Sequence, residues 1–488
     1  MTSPGEAPQD YILAKFEPVI GLEVHCQLLT ASKLFCGCST TFGGEPNVNT
    51  CPVCLALPGA LPSLNKKVVD YAMRLALAVS GRIHDNSVFS RKQYFYPDLP
   101  KGYQISQYDK PFCTEGFLDL SSGRRVRIMR IHIEEDAGKS IHAGKSSYLD
   151  LNRAGVPLLE IVSHPDLHTP EEASEYLRRL RSLVRHLGIS DGNLEEGSFR
   201  CDVNLSLRPV GTSQLGTRCE IKNLNSFKNV ERAIRYEIVR QADILEDGKS
   251  IVQSTLLFDA ATGKTALMRT KEDSQDYRYF PDPDLPPVHM SAERVAKVRG
   301  ELPELPEAMA LRMATNLGLP NADAMFLSSD RDLATYFEKT LVSAGPRVPP
   351  KIVANWVMSD LMREVNRHEW DFGSIPLRPE ALGGLLALIG DGTLSGRLAK
   401  EVFDEMVSTG AKPEDIVKNK GLVQISDRTT IEEVVKPILE ASAGQVAEYK
   451  AGKEKVFGYF VGQVMKVSKG TFNPGVVNEV LKEYLSRK

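Results

Sequence analysis

From about residue 16 to residue 290, apolar and polar positions alternate with a period of two, and a few helical stretches interrupt the alternation. In 19–27, Ile20, Leu22, Val24 and Cys26 fall on one face and Glu23, His25 and Gln27 on the other. Residues 128–134 read the same way, with Met129, Ile131 and Ile133 expected inward and Arg130, His132 and Glu134 outward. In 201–207, Val203, Leu205 and Leu207 oppose Asp202, Asn204 and Ser206, and in 217–223, Cys219 and Ile221 oppose Arg218, Glu220 and Lys222. Strands of this one-sided kind belong to antiparallel or mixed sheets with one face on a core and one face wet.

Three helices break the alternation. Residues 65–80 carry Val68, Val69, Ala72, Leu75, Ala76 and Val79 at helical spacing and stop at Gly81. Thr169-Pro170-Glu171-Glu172 has a capping side chain, proline at the first helical position and acids in the first turn; Gly188 ends that helix. A third runs from Ser226 to about Glu246 and closes at Asp247-Gly248. Prolines 281, 283, 286, 287, 303 and 306 then punctuate the chain, and the pattern beyond them is almost wholly helical. The fold class expected is α+β: a β-rich cradle domain with an antiparallel or mixed sheet over 16–290, an all-helical domain over 291–413 and a small helical tail domain over 414–488. In the tail, Val456, Phe460, Val464 and Val467 form an apolar stripe flanked by Lys450, Lys453, Lys455, Lys466 and Lys469. Gly458 and Gly462, four apart beside the stripe, would let another helix approach closely.

A length of 488 residues suits two to three domains. The net charge of -3 argues against a protein that coats nucleic acid electrostatically, while leaving local basic patches open. No apolar run reaches the length of a membrane span, and the first fourteen or so residues lack the basic start and apolar stretch of a secretory signal. A cytoplasmic protein without a membrane partner is expected.

That reducing setting changes how the cysteines read. Four of the eight fall in one stretch, Cys36-Gly37-Cys38 and Cys51-Pro52-Val53-Cys54. Buried free thiols are the plain alternative, but close pairs bounded by Gly, Pro and Ser fit tetrahedral zinc better. Four thiolates close the coordination shell, so such an ion is structural.

The polar faces of the strands carry Glu23, His25, Glu134, Asp202 and Glu220, and acids continue at Glu135 and Asp136. A solvated sheet face is the ordinary explanation for any one strand. Clustered carboxylates repel one another unless a cation neutralises them, and oxygen ligands with one imidazole suit magnesium or manganese held against phosphates. Glu135 projects to the opposite side of a regular strand and ranks below Glu134.

Gly138-Lys139-Ser140 and Gly144-Lys145-Ser146 look like the end of a phosphate loop, but the earlier glycine is missing, with Ile133 and Lys139 in its place. Lys139 and Lys145 remain single charges able to meet phosphate. Arg91-Lys92-Gln93-Tyr94-Phe95-Tyr96 mixes cations with aromatics, which suits stacking on bases or an adenine and equally suits packing at a strand end. There is no Gly-x-Ser-x-Gly elbow and no serine-glycine-rich amidase signature with a lysine.

Several runs together resemble the B subunit of the tRNA-dependent amidotransferase (the GatB family). They are Val19-Ile20-Gly21-Leu22-Glu23-Val24-His25, Tyr94-Phe95-Tyr96-Pro97-Asp98, Tyr103-Gln104-Ile105-Ser106-Gln107 and His132-Ile133-Glu134-Glu135-Asp136-Ala137-Gly138-Lys139. Asp150-Leu151-Asn152-Arg153, Glu195-Glu196-Gly197-Ser198 with Arg200-Cys201-Asp202, and Glu220-Ile221-Lys222-Asn223-Leu224-Asn225-Ser226 follow. The likeness continues through Gly421-Leu422-Val423-Gln424-Ile425-Ser426-Asp427 and Val461-Gly462-Gln463-Val464-Met465-Lys466, so it covers nearly the whole chain from about Pro18.

The resemblance implies a glutamine-dependent amido ligase. ATP phosphorylates the side-chain carboxylate of Glu-tRNA(Gln) or Asp-tRNA(Asn), and ammonia from a partner amidase (A) subunit displaces the phosphate. A small C subunit completes a heterotrimer, and the helical tail engages aminoacyl-tRNA through Lys450, Lys453, Lys455, Lys466 and Lys469. By the same resemblance Glu23, His25 and Glu134 ligate magnesium, with Asp202 and Glu220 as further members around ATP and a second ion. Zinc at Cys36, Cys38, Cys51 and Cys54 rests on the cysteines themselves, since some relatives lack them. Two rival readings are a non-catalytic tRNA-binding scaffold subunit and a self-sufficient amide ligase that uses free ammonia on a small acid.

Overall fold

The computed structural model describes residues 9–270, 276–372, 375–422, 427–468 and 471–486, which form two compact units, Met1–Pro306 and Glu307–Lys488. Lys469 and the run 423–426 lie outside the described residues. The fold is α+β. The first unit is built on a nine-stranded sheet whose order in space is Lys264–Thr270, Ser254–Asp259, Cys219–Leu224, Phe199–Pro209, Phe16–Gln27, Pro157–Ser163, Arg125–Glu135, Cys113–Asp119 and Arg82–Ile83. Cys219–Leu224 and Ser254–Asp259 run parallel and the other neighbours antiparallel, so the sheet is mixed.

The alternation decides which face is covered. Ile20, Leu22, Val24 and Cys26 are buried together with Val203, Leu205, Ile221, Ile131 and Ile133 in one core that also holds the apolar sides of three helices. These are Lys66–Ala78, Pro170–His186 and Phe227–Glu246, capped by Asn65, Thr169 and Ser226. The Glu172 N–H donates to Thr169 Oγ1 at 3.1 Å and the Glu172 carboxylate accepts from His168 N–H at 2.9 Å, closing a reciprocal cap. Gly188 and Gly248 terminate their helices with φ of 64° and 73°, a conformation other residues resist.

One inward assignment is corrected. Met129 is 42% exposed, while Ile128 and Ile131 are both fully buried. Arg130 pairs with Val162 and Ile128 with Ser163, leaving Met129 as the extra residue of a β-bulge. That residue reverses the alternation, so Ile128 and Ile131 reach the same core and Met129 turns to the polar face.

The proline-rich stretch belongs to the first unit. Val288–His289 pairs with Asn86–Ser87, and Val298, on the helix Ala292–Gly300, is buried in the same core. A small sheet, Phe280–Pro281, Ser90–Gln93 and Tyr103–Ser106, flanks the polar face of the large one. The Gly138 to Ser146 run, with its two Gly-Lys-Ser triplets, is a hairpin of Lys139–Ala143 and Ser146–Asp150 turning at Gly144.

The second unit is helical and holds two separate apolar clusters. One gathers residues from Met309 to Val417; the other is built from Ile431, Val435, Phe460, Val464, Phe472, Val477, Val480, Leu481 and Leu485. Phe460 and Val464 of the tail stripe are fully buried and Val456 packs against them, but Val467 is 58% exposed. The helix Phe457–Val467 ends at that residue, which is why its side chain passes beyond the core. Gly458 and Gly462 are exposed, and no described atom would meet a Cβ built on either. Among the described residues, no helix is long and apolar enough to cross a membrane.

Candidate active site

The uncovered face of the sheet gathers its charged groups in rows. Antiparallel register sets His132 opposite Glu160, Glu160 opposite His25 and His25 opposite Arg200, so four strands contribute to one row. Glu23 and Asp202 oppose each other in the next row. His25 Nε2 is 3.5 Å from Glu160 Oε2, 3.6 Å from Glu23 Oε1 and 3.7 Å from Glu134 Oε1. His132 Nε2 is 3.2 Å from Glu160 and 3.7 Å from Glu134. Two overlapping groups result, Glu23–His25–Asp202 and His25–Glu134–Glu160, each offering ligand atoms that all lie within 4.8 Å of one another.

Electrostatics show the strain that a cation would relieve. Burial, followed by the nearby Glu160 carboxylate, raises the Glu23 carboxyl to about 7. Burial lowers the His25 imidazole, but Glu160, Glu134 and Glu23 outweigh it and raise the group to about 8. His132 is raised to about 9 on the same balance, with Glu160 the strongest carboxylate acting on it. Burial opposes the charged form of Glu160, yet His132 and His25 hold its carboxyl well below the usual range. Protons on the two histidines therefore compensate carboxylates that a divalent ion would otherwise satisfy.

Neighbouring acids are engaged elsewhere. Glu135 accepts from Lys101 Nζ at 2.6 Å and from the Ile105 N–H at 3.1 Å, on the other side of its strand from Glu134. Asp136 accepts from Gln27 at 2.7 Å and Arg200 at 2.8 Å. Glu220 accepts from Lys222 at 3.0 Å and from Thr255 Oγ1 at 2.8 Å, and joins neither group. Asp202 also pairs with Lys222. Of the aromatic run, Arg91 is held by Asp282 and Asp284, Lys92 lies 4.9 Å over the Tyr277 ring, and Phe95 is 86% exposed.

The four cysteines converge as well. Cys36, Cys38, Cys51 and Cys54 bring their sulfurs within 4.8 Å of one another, with 3.9 Å between Cys51 and Cys54. Tetrahedral zinc with thiolates separates sulfurs by roughly 3.8 Å, so the donor set fits that ion. A hydrogen bond with Cys36 holds the Cys54 thiol down to about 4 against the opposing effect of burial. The Cys51 N–H at 3.1 Å and the Lys33 ammonium at 3.7 Å act in the same direction. Lys33 is fully buried and donates to the carbonyls of Asn49 and Leu151 at 2.7 and 3.3 Å. Asn47 and Asn152 add further bonds between the cysteine loop and residues 149–152. Arg153 then grips the carbonyls of Ala137 and Gly138 at 2.9 and 2.6 Å, just past the strand that ends in Glu134-Glu135.

Residues 18–296 match the family described as "GatB/GatE catalytic domain" and residues 335–485 match a "GatB domain". The chain belongs to the GatB/GatE family. It is 56% identical over 479 residues to the B subunit of the aspartyl/glutamyl-tRNA(Asn/Gln) amidotransferase of Geobacter sp. (strain M21), a match covering 96% of this chain and 99% of that relative. The protein of the same name from Pelodictyon phaeoclathratiforme (strain DSM 5477 / BU-1) is 55% identical over 471 residues, covering 96% and 98%. The carboxylate face and the cysteine loop both fall inside the stretch matched to the GatB/GatE catalytic domain.

Two members of these sites, Glu160 and Lys33, escape a reading of the strand pattern, and a third, His132, is only partly given by it. Glu160 is the single charge in the apolar run Val156-Pro157-Leu158-Leu159-Glu160-Ile161-Val162, and that isolation is the signal for it. His132 is visible as outward-facing but carries no mark of its pairing with Glu160. Lys33 has no sequence signal.

The lysines of the tail are exposed where described. Lys450, Lys453, Lys455 and Lys466 lie at helix ends or in the short turn between them, with Lys453 3.4 Å from Glu448.

Proposed function

We propose that the chain is the subunit of a tRNA-dependent amidotransferase that activates the side-chain carboxylate of Glu-tRNA(Gln), Asp-tRNA(Asn) or both with ATP. The convergence of Glu23, His25, Glu134, Glu160 and Asp202 on one sheet face carries the reading, because so many carboxylates in one place need a cation. Glu23, His25 and Glu134 are the magnesium ligands, with Asp202 and Glu160 completing the set and Glu220 at the nucleotide side. When bound there, magnesium screens phosphate charge and stabilises the charge that develops on transfer.

The residues of the chain do the rest. Glu160, between two imidazoles, orients both rings, and Ser106 donates to Glu134 at 3.1 Å and fixes that carboxylate. An ionised carboxylate resists attack by ammonia, because its charge repels the nucleophile and oxide is a poor leaving group. Transfer breaks the bond between the γ-phosphorus and the bridging oxygen of ATP and joins that phosphorus to the substrate carboxylate, releasing ADP. Ammonia then forms the C–N bond of the amide as inorganic phosphate departs, with one ammonia proton passing to solvent or phosphate. A partner amidase subunit supplies ammonia from glutamine, and a small third subunit completes the assembly.

Zinc on the four cysteines is structural and secures the loop that braces residues 137–153. The segment from 414 onward engages tRNA through Lys450, Lys453, Lys455 and Lys466, with Lys469 in the same cluster. The test is ATP turnover with Glu-tRNA(Gln), with and without the partner subunits. tRNA-dependent ADP release supports the reading. tRNA binding without nucleotide turnover would favour a scaffold subunit, and turnover on free glutamate a tRNA-independent ligase.

A further inference from the structure

The cysteine loop and the strand that carries Glu134 meet at one residue. Gly155 has φ of 86°, a conformation that favours glycine. A Cβ built on it would lie 3.5 Å from Lys33 Cδ and 3.7 Å from both Cys54 Cβ and Glu135 Oε2. Its backbone is tied on both sides. The Gly155 carbonyl accepts from the Leu34 N–H at 2.9 Å, two residues before Cys36, and the Gly155 N–H donates to the Asp136 carbonyl at 2.8 Å. Asp136 follows directly on Glu134-Glu135, and its own N–H donates to the Val156 carbonyl at 2.8 Å. The strand end bearing Glu134 is therefore held by the segment against which the cysteine loop packs.

Lys33 sits inside this junction. It is fully buried, and its ammonium meets the Asn49 carbonyl, the Leu151 carbonyl and Cys54 Sγ at 2.7, 3.3 and 3.7 Å. An ammonium has three donors, so this set is complete. Among the described residues Lys33 forms no ion pair with a carboxylate, and the anionic partner at its ammonium is the Cys54 sulfur. A buried ammonium is costly without an opposite charge, and four thiolates around one divalent ion leave a net negative charge. Lys33 answers both needs, and through Leu151 it fixes the start of the stretch that Gly155 closes. A second tie runs alongside: Lys101, which binds Glu135, lies 5.5 Å over the ring of Phe35, the neighbour of Cys36.

We propose that Lys33 is a positioning residue that couples the thiolate site to the carboxylate face, a link that rests on the zinc and phosphoryl-transfer readings above. It retains the metal at Cys54, and through the Leu151 carbonyl and the contact at Gly155 it holds the strand end bearing Glu134 and Glu135 in place.

The test uses the full chain assembled with its partner subunits: wild type with zinc, wild type stripped of zinc by a chelator, and K33M, which keeps the side chain's length and removes its charge. Losing a partner just outside the ligand shell weakens metal binding by roughly ten- to a hundredfold, so K33M should yield zinc to a chelator at least about tenfold faster. With cobalt(II) in place of zinc, K33M should keep the absorption of a four-thiolate tetrahedral site. Its sulfur-to-metal charge-transfer band should move to lower energy, because the lost N–H···S bond no longer stabilises the sulfur electrons. Hydrogen exchange should quicken by roughly tenfold at the Ile105, Asp136 and Gly155 amides, in stripped wild type and in K33M alike. It should stay unchanged in the helix Pro170–His186. Zinc-loaded K33M should turn over ATP with Glu-tRNA(Gln) at a kcat about tenfold lower, with KM for ATP within about threefold, since a misplaced group beside the reacting atoms slows the step it serves.

Zinc loss at the wild-type rate with the cobalt band unmoved would overturn the role of Lys33 and leave the zinc reading intact. Exchange at the three amides unaffected by zinc removal would overturn the coupling, as would a uniform rise through the whole unit or a kcat equal to that of wild type. Wild type that holds no zinc would overturn this link and the zinc reading together. The zinc and exchange measurements need no turnover, so they decide the link even where the activation reading fails.

Discussion

The cysteine loop and the carboxylate face lie in one compact unit, and both collect side chains able to hold a metal, yet they are built to opposite ends. The loop offers four soft donors of one kind, which fill a tetrahedral shell and leave no position for substrate. The face offers oxygens and an imidazole from four different strands, in overlapping groups that share His25 and adjoin a cavity. Their charge is handled differently as well. A buried lysine stands against Cys54, whereas the carboxylates are relieved by protons on His25 and His132 that an arriving cation would displace. A closed site contributes to folding; an open, internally frustrated site stays available for chemistry.

Replacing one residue on each side should separate these roles. Glu160→Gln keeps the volume and removes the charge between the two histidines. It should lower tRNA-dependent ATP turnover by about a thousandfold, the upper range for one electrostatic group in a reacting site. Zinc content and Tm should stay near wild type; a fall in Tm with turnover preserved would make Glu160 a structural residue and erase the contrast. Cys51→Ser should do the reverse. Loss of a structural metal destabilises on the order of 4 kcal/mol, read as a lower denaturant midpoint with zinc absent by metal analysis. Wild-type protein that holds no zinc after mild purification, with four titratable thiols, would remove the closed site from the comparison.

Deleting residues from 427 onward, which removes the cluster of Ile431 to Leu485 and leaves the one ending at Val417 whole, is a milder perturbation. It should raise KM for aminoacyl-tRNA about tenfold and flatten the salt dependence of binding by roughly 0.7–0.9 for each phosphate the tail no longer neutralises. Equal affinity and equal slope for full-length and truncated complexes would assign the tail lysines to solvation alone.

The smallest effect expected is on pH. His25, raised to about 8, must lose its proton to ligate magnesium. Below that pH the protonated form prevails, so magnesium affinity should fall by up to about tenfold from pH 8 to pH 7, above the range where the Glu23 carboxyl, raised to about 7, takes up its own proton. Affinity that is flat across this range would show that His25 is not a ligand.

What could be read from the sequence followed from local rules. The caps at Thr169 and Ser226, the inward faces of 19–27 and 201–207 and the spacing of the cysteines all express interactions within a few residues. Glu23, His25 and Asp202 were visible because their strands alternate cleanly. The remainder depends on pairing between distant segments. The bulge at Met129 arises from register with Pro157–Ser163, and it alters the alternation without any glycine or proline to mark it. Glu160 sits on a central strand whose residues are nearly all buried and mostly apolar, so alternation disappears and a lone charge is the only trace. Lys33 owes its burial to a thiolate and to carbonyls 16 and 118 residues away, and no periodicity reports that.

The central claim, that the carboxylate face activates a carboxylate by phosphorylation, is tested most directly by trapping the intermediate. The assembled complex would be given ATP labelled in the γ-phosphate and Glu-tRNA(Gln), with glutamine and ammonia withheld, and the tRNA-linked label measured in wild type and in Glu134→Gln. Glu134 meets both histidines of the cluster, and its amide would keep the shape and lose the charge. Labelled acyl phosphate on tRNA in wild type, absent from Glu134→Gln although that variant still binds tRNA, is the result predicted. Equal labelling in the two proteins, or Gln-tRNA formed normally by the variant once ammonia is added, would contradict the account.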